Sequence, residues 1–340
     1  MDIHLYVLYE SRDEWLKANR SKLEPELTNT LRIDKFLESD KDLTPVFLDI
    51  SKAISSAKIC SIEQKKLWFD QIIKDPKAIV WNITDGYEYF VGANIPAFCT
   101  VLKRSFIGSK SYVQMMCQNK HHLKSALSPY GINTAQWRVI SEVNELKGWD
   151  VFPCFIKPAS FDNSIGIGGS KLSSPICNNP DELKQNILSL IDDGIRNVLV
   201  EQFLPGNEYT VCCIHASDWK FECLGVYYDD DENFFSSTTK EKKDTYKKLE
   251  DQRISDKLIS LSYKIIEKIG IEDYCRIDFR EDASGNISFL EVNTAPFLNS
   301  RSFKFFANSH YAGSRADLFK DIIVHSYARK NTVETLKHLL

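Results

Sequence analysis

The chain has 340 residues, 43% of them apolar and 26% charged, with a formal net charge of −4. That balance fits a globular enzyme of two or three domains. Near-even acidic and basic counts, with seven His, leave no basic stripe to neutralise a phosphodiester backbone, so nucleic acid is not an expected partner.

The first apolar run, residues 3–9, reads as a strand. It contains His4 and meets Glu10, Arg12, Asp13 and Glu14, too short and too soon charged for a signal peptide or a membrane span, so a cytoplasmic protein without membrane partners is expected. Residues 45–50 and 78–83 also read as strands and residues 61–74 as a helix, an alternation that predicts a small α/β layer. Residues 108–130 read as helical and stop at Pro129-Tyr130-Gly131. Within them Cys117, His121 and His122 have no second ligand pair nearby and read as helix packing and surface rather than a zinc site.

From there the pattern turns largely β, with runs at 151–157, 168–172, 198–204, 208–215, 221–228, 275–280 and 287–293. Two helices interrupt it. Residues 181–193 follow Pro180 and end at Gly194, while residues 256–269 carry a stripe of Leu258, Leu261, Ile265 and Ile269, with Ser255 as N-cap and Gly270 after the last turn. Residues 229–250 are polar and without apolar periodicity, which reads as a loop or lid. The nine Cys form no C-x-x-C pair, and Cys154, Cys212, Cys213 and Cys223 sit in apolar runs, so buried reduced thiols are expected.

The most informative stretch is Arg276-Ile277-Asp278-Phe279 followed by Phe289-Leu290-Glu291-Val292-Asn293. Side chains alternate across a strand, so Arg276 and Asp278 share one face, as do Glu291 and Asn293. With residues 283–286 as the turn, Asp278 faces Glu291 and Arg276 faces Asn293. Like charges so placed destabilise a hairpin unless compensated. Two carboxylates and an amide oxygen are hard donors, and Mg²⁺ shared with substrate phosphates reconciles them. Alone, the pattern also fits a solvated strand face with chance charges.

Phe155-Ile156-Lys157-Pro158 closes a strand, and the next twelve residues include Ser160, Asn163, Ser164, Gly166, Gly168 and Gly169. Free amides and hydroxyls in such a loop cradle phosphate oxygens, with Lys157 as the cation; a flexible hairpin tip is the bland alternative. It is not a P-loop. Glu201 and Glu208 bracket Phe203-Leu204-Pro205-Gly206, a turn that offers apolar walls and carboxylates to an adenine and ribose, or simply joins two strands.

Joined in order, Phe155-Ile156-Lys157-Pro158, Ser164-Ile165-Gly166, residues 201–211 from Glu201 to Val211, Arg276-Ile277-Asp278-Phe279 and Phe289-Leu290-Glu291-Val292-Asn293-Thr294-Ala295-Pro296 resemble the D-alanine:D-alanine ligase branch of the ATP-grasp enzymes. The resemblance implies an α/β (α+β) ATP-grasp fold of three domains: an N-terminal pre-ATP-grasp layer at 1–107, a central subdomain at 108–200, and a C-terminal subdomain with the metal site at 201–340. It implies that Lys120 and Lys157 contact ATP phosphates, with Ser164 in the loop over them. Glu201, the backbone of Gln202, Phe203 and Leu204, and Glu208 would hold adenine and ribose. Asp278, Glu291 and Asn293 would bind two Mg²⁺, or Mn²⁺, and Arg276 would stabilise the tetrahedral intermediate. A homodimer through the N-terminal layer is a further family expectation.

The departures lie on the amino-acid side. The family's Gly-Gly-x-Ser-x-Glu element is replaced by Tyr9-Glu10-Ser11-Arg12, leaving Glu10 as the candidate amine anchor. Phe297 takes the place of a Gly and reshapes the acceptor pocket, followed by Leu298-Asn299-Ser300-Arg301-Ser302, in which Arg301 reads either as a partner for a substrate carboxylate or, more commonly for such a position, as an exposed loop Arg. The family's lid Tyr-x-x-Lys-Tyr is missing, and Lys240 is the candidate for its phosphate-binding part. The expected function is therefore joining a carboxylate to an amine through an acyl phosphate, on small amino-acid-like substrates other than two D-alanines. The alternatives are a divergent cell-wall D-alanine:D-alanine ligase and a nucleotide-binding regulatory protein that has lost the chemistry.

Overall fold

The computed structural model describes residues 3–19, 39–84, 91–159, 174–192, 195, 197–227 and 245–337. The first layer is a parallel sheet in the order β2-β1-β3-β4, built from β1 (His4–Tyr9), β2 (Lys58–Ser61), β3 (Ala78–Asn82) and β4 (Ser105–Ile107). Around it run α1 (Arg12–Asn19), α2 (Asp40–Ala53), α3 (Lys65–Lys74) and α4 (Val91–Val101). The expected strand at 45–50 is instead the second half of α2. Ser39 caps the helix, its Oγ accepting from the Asp42 N–H at 3.1 Å, and Leu43, Val46 and Ile50 are buried at helical spacing, which outweighs Pro45. The helix expected over 61–74 starts only at Lys65, because residues 58–61 pair with β1.

The helical stretch at 108–130 breaks at Asn119 into α5 (Ser111–Gln118) and α6 (Lys120–Leu127), followed by a 3-10 turn at Ser128–Tyr130 and Gly131 at φ 67°. A four-stranded antiparallel sheet then forms in the order β5-β8-β6-β7, from β5 (Trp137–Ile140), β6 (Cys154–Pro158), β7 (Ile176–Cys177) and β8 (Val198–Gln202), with α7 (Pro180–Asp192) packed against it. β8 runs through the boundary expected at residue 200. The strand expected at 168–172 lies outside the described residues.

The third sheet is five-stranded and antiparallel, in the order β11-β10-β9-β12-β13. Its strands are β9 (Glu208–His215), β10 (Trp219–Val226), β11 (Tyr246–Lys248), β12 (Tyr274–Glu281) and β13 (Ile287–Asn293), with α8 (Gln252–Ile269) packed on one face. β11 lies within the segment expected to be a loop or lid, most of which is outside the described residues. The cap of α8 is Asp251, not Ser255: Asp251 Oδ1 accepts from the Arg253 N–H at 2.9 Å, while Ser255 is buried inside the helix. Gly270 ends it at φ 78°, as expected. Two further helices, α9 (Arg301–His310) and α10 (Arg315–Lys337), close the chain and were not anticipated, although Leu318, Phe319, Ile322 and Ile323 are fully buried at helical spacing.

These last helices return to the first sheet. Phe303, Phe306, Phe319 and Ile322 share one core with Val7, Ile79 and Trp81, and the Trp81 indole donates to the Tyr274 hydroxyl at 2.9 Å. At the same junction Asp273, at φ 64° and with no exposure, accepts from the Gly108 N–H at 2.7 Å and the Ser326 hydroxyl at 2.9 Å, and pairs with Arg329 at 2.5 Å and Lys330 at 3.2 Å. One buried carboxylate, just ahead of β12, thus ties α10 to the stretch just ahead of α5. No helix among the described residues is long and apolar enough to cross a membrane. Eight of the nine Cys are buried and all are free thiols.

Candidate functional site

Asp278 pairs with Glu291 and Arg276 with Asn293 across β12 and β13, the register expected from the sequence. The route to it differs. The turn takes residues 282–286, with Asp282 Oδ1 accepting from the N–H groups of Ser284 and Asn286 at 2.8 and 2.9 Å and Gly285 at φ 77°. A bulge between Asp278 and Phe279 then sets Phe279 against Phe289, leaving Leu290 as the extra residue. The longer turn and the bulge cancel, so the four polar residues still share one face.

Their charges are balanced from within the chain. Arg276 reaches Asp278 through Nε, at 3.2 and 3.3 Å from the two oxygens, and through Nη2 at 3.1 Å, and the Thr210 hydroxyl donates to Asp278 Oδ1 at 2.5 Å. Lys120 Nζ stands 3.4 Å from Glu291 Oε2. Each carboxylate therefore has a protein cation, and the pairing alone does not demand a metal, contrary to the expectation that only a divalent ion reconciles it. Burial lowers the Arg276 pKa, but adjacent Asp278 outweighs it and raises the guanidinium well above its usual value.

Among the described residues no three His, Cys, Asp or Glu side chains gather into a metal-binding group. The hairpin supplies two carboxylates and the Asn293 amide, whose Oδ1 also accepts from the Ala295 N–H at 2.9 Å. Three oxygen donors of this kind fit an octahedral Mg²⁺ that takes its other ligands from phosphate and water.

The element that joins the hairpin to the second sheet is α6, through Lys120 and Lys124, spaced i,i+4 on one face. Lys120 meets Glu291, and its N–H donates to the Ala159 carbonyl at 3.1 Å just past β6. Lys124, missing from the sequence reading, is fully buried. Its Nζ is 2.8 Å from Glu201 Oε1 and donates to Thr134 Oγ1 at 2.6 Å and the Phe289 carbonyl at 3.4 Å. Lys157, at the end of β6, places its Nζ 2.8 Å from the other oxygen, Glu201 Oε2. Glu201, expected beside adenine or ribose, thus has both oxygens on lysines. Burial works to raise its pKa, yet the Lys124 and Lys157 ammoniums bring it down to about 2. Burial pushes Lys124 itself down, with Glu201 opposing. The i,i+4 spacing of the two lysines was the available signal for Lys124.

Between β8 and β9, the Gln202 N–H donates to the Gln136 carbonyl at 2.8 Å and the Phe203 N–H to the Pro153 carbonyl at 3.0 Å. Those two amides are committed, whereas that of Leu204 enters no such bond among the described residues. The Gly206 N–H donates to the Glu281 carbonyl at 3.1 Å, and a Cβ at this position would stand 2.6 Å from Glu281 Cβ. Only glycine permits that approach of the connection to β12. Glu208 pairs with Arg280 at 3.2 Å, and the Arg280 guanidinium lies 5.1 Å from the Phe203 ring centroid.

The expected substrate residues lie where the first layer meets α9. Glu10 is buried just past β1, its N–H donating to Thr84 Oγ1 at 2.9 Å, and the neighbouring Ser11 hydroxyl donates to Asp40 at 2.9 Å. Phe297 is half-buried against the first-layer core, and Asn299 donates to the Asp42 carbonyl at 3.1 Å. Arg301 opens α9 rather than lying in a loop, and Ser302 is buried with its Oγ 2.9 Å from Ser300 Oγ. Tyr246 was missed because it falls in the supposed loop. It opens β11, paired with Val226 of β10, and burial lifts its phenol to about 12, with Asp278 and Glu208 adding to the rise and Arg276 and Arg301 opposing it. Ser164 and Lys240 lie outside the described residues.

Known proteins resemble the chain in sequence and in fold. A family model described as "D-ala D-ala ligase C-terminus" matches residues 127–323. The D-alanine–D-alanine ligase of Aquifex aeolicus is 31% identical over 217 residues, covering 63% of this chain and 71% of that enzyme. That of Pseudomonas putida is 27% identical over 209 residues, and the chain spans 60% of its length. Among solved structures, a Bacillus anthracis D-alanine–D-alanine ligase complexed with ATP superposes with a TM-score of 0.65 at 15% identity, covering 97% of this chain and 99% of that one. The VanG D-Ala:D-Ser ligase of Enterococcus faecalis gives 0.64 at 15% identity, covering 97% and 100%. The parallel sheet followed by two antiparallel sheets is thus the ATP-grasp fold, and with the family model covering more than half its length the chain belongs to the D-alanine–D-alanine ligase family of C–N bond-forming ligases.

Proposed function

We propose that the protein uses ATP to convert a small carboxylate into an acyl phosphate and then joins it to an amine, with an amino acid or an amino-acid-containing metabolite as substrate. The observation that carries this reading is the bridge made by α6: Lys120 reaches the acidic hairpin and Lys124 reaches Glu201, which in turn holds Lys157. Cations from α6 and β6 thus stand against carboxylates of both antiparallel sheets, an arrangement suited to a triphosphate.

The Leu204 amide and the apolar walls of Phe203 and Leu204 serve adenine, and Lys120 and Lys157 serve the phosphates, with Ser164 and Lys240 as further candidates. Asp278, Glu291 and Asn293 hold Mg²⁺, which supplies charge neutralisation at the phosphates. Arg276, fixed by Asp278, offsets the oxyanion formed when the amine attacks the acyl phosphate. Glu10 anchors a substrate amine, and Arg301 and Ser302 face the acceptor across a pocket narrowed by Phe297.

ADP release by the purified protein, with Mg²⁺, ATP and paired amino acids, tests this. Amide product from some pair, identified by mass spectrometry, is the expected result; ATP binding without turnover on a broad panel supports the regulatory alternative. The relatives' names favour a second reading, a D-alanine:D-alanine ligase with divergent contacts. ADP release with D-alanine as sole substrate decides for it.

A further inference from the structure

Cys154 and Cys177 face each other across β6 and β7. The Ile156 N–H, two residues on, donates to the Pro175 carbonyl at 2.9 Å, so the Cys154–Cys177 pair is also of the hydrogen-bonded kind. Cα atoms in such a pair stand about 5.5 Å apart, within the span a disulfide bridges. Both side chains point to one face and are buried in the core that α7 covers.

Their surroundings differ. Asn186 of α7 donates through Nδ2 to Cys177 Sγ at 3.3 Å and to the Ser174 carbonyl at 3.0 Å. The Cys154 S–H directed at Cys177, helped by that amide, holds Cys177 below the ordinary thiol value against the effect of burial. The same bond, added to burial, keeps Cys154 protonated, well above that value. One thiol is thus prepared as a nucleophile and its neighbour as the resolving group.

Strand position supplies the access. β7 is the edge strand of its sheet and only two residues long, held to β6 by two register pairs. Such an edge opens locally at small cost. Cys213 and Cys275 also face each other, on β9 and β12, and are buried as deeply. Those strands are eight residues long and lie inside the five-stranded sheet, and burial pushes the Cys213 thiol well above its ordinary value.

We propose that Cys154 and Cys177 are a modification site, forming a reversible disulfide with hydrogen peroxide as oxidant. The Cys177 thiolate attacks one peroxide oxygen, the O–O bond breaks, and the departing hydroxide takes up the proton Cys177 had released, leaving as water and a sulfenic acid. The Cys154 sulfur then attacks the Cys177 sulfur, and the sulfenic hydroxyl leaves with the Cys154 proton as a second water. The two thiols lose two electrons and the peroxide gains them. The cross-link fastens β7 to the row that continues from Cys154 to Gln202, the residue after Glu201.

The test is a non-reducing peptide map of the purified protein after peroxide treatment, with remaining thiols alkylated on unfolding. One cross-linked peptide pair joining Cys154 to Cys177 is expected, released by dithiothreitol and formed at least about tenfold faster than any link between Cys213 and Cys275. Cys154→Ala is expected to leave Cys177 as a sulfenic acid that dimedone traps, and Cys177→Ala to leave Cys154 as a free thiol. Absence of the Cys154–Cys177 link in the parent protein, or equally fast linking of Cys213 to Cys275, overturns the proposal. A dimedone adduct on Cys154 in the Cys177→Ala protein overturns the assignment of nucleophile and resolving group. The map of the parent protein decides the matter even where a variant does not fold.

Discussion

Arg276 and Asp278 stand two residues apart on one face of β12 and hold each other through three contacts of 3.1 to 3.3 Å. The cation proposed for the oxyanion and an acid proposed for the metal are thus locked in mutual alignment before substrate arrives. Arg276→Ala is expected to reduce ADP release by at least about 100-fold. Asp278→Asn, which keeps the size and loses the charge, is expected to do the same and to raise the Mg²⁺ concentration needed for half-maximal ATP binding. Full turnover by either variant in the coupled ADP assay removes the role assigned to that residue.

Lys120 links Glu291 to the end of β6 through both its side chain and its N–H. Lys120→Met is expected to raise the KM for ATP by about tenfold, one charge-assisted phosphate contact, with little change in KM for the carboxylate or the amine. Steady-state kinetics with each substrate varied in turn checks this; a rise confined to the amine would place Lys120 on the acceptor side.

Gly206 lies where the β8–β9 connection touches β12. A Cβ there would meet Glu281 Cβ at 2.6 Å and the Glu281 carbonyl at 2.9 Å, both on backbone-fixed positions. Gly206→Ala is expected to cost about 1–3 kcal/mol in urea denaturation. Because the shift is transmitted to Phe203 and Leu204, it should also weaken ATP binding; a variant as stable as the parent would mean that the connection moves freely.

The Asp273 carboxylate is wholly buried, and although burial works to raise its pKa, Lys330 and Arg329 hold it below the ordinary 3.8. A value lowered in the folded state contributes stability that is complete above the unfolded value and is lost as pH falls through the folded one. Asp273→Asn is therefore expected to destabilise by about 3–5 kcal/mol at pH 7, leaving two basic groups without their acid. The gap between variant and parent should narrow below about pH 4. Urea titrations at pH 7, 5 and 3.5 read it directly; a gap independent of pH would show that the ionised form is not what stabilises.

Much of the site was legible in the sequence because strand alternation is strict. Once Arg276, Asp278, Glu291 and Asn293 are placed on paired strands, their common face follows from the pleat alone. The turn was misjudged by one residue, an error that the bulge at Leu290 happens to cancel. Helical boundaries were harder. Pro45 disguised α2 as a strand, although the decisive signals, the Ser39 cap and the Leu43, Val46 and Ile50 spacing, lie partly before it. Ser255 was a weaker cap than Asp251 four residues earlier.

What sequence did not show is the counter-charge. Lys120 was singled out only through the family resemblance and Lys124 not at all, and only the crossing of α6 over both antiparallel sheets makes them partners of Glu291 and Glu201. Pairings between residues 77 and 171 positions apart leave no local pattern to read beyond the i,i+4 spacing of the two lysines. The same holds for the return of α9 and α10 to the first sheet.

The bulge that restores the register of the acidic hairpin also insulates it. With one residue taken up at Leu290, the pairs next to the tip follow one register and the Arg276–Asn293 and Asp278–Glu291 pairs another, so the polar face is aligned from the inner end of the hairpin rather than from its turn.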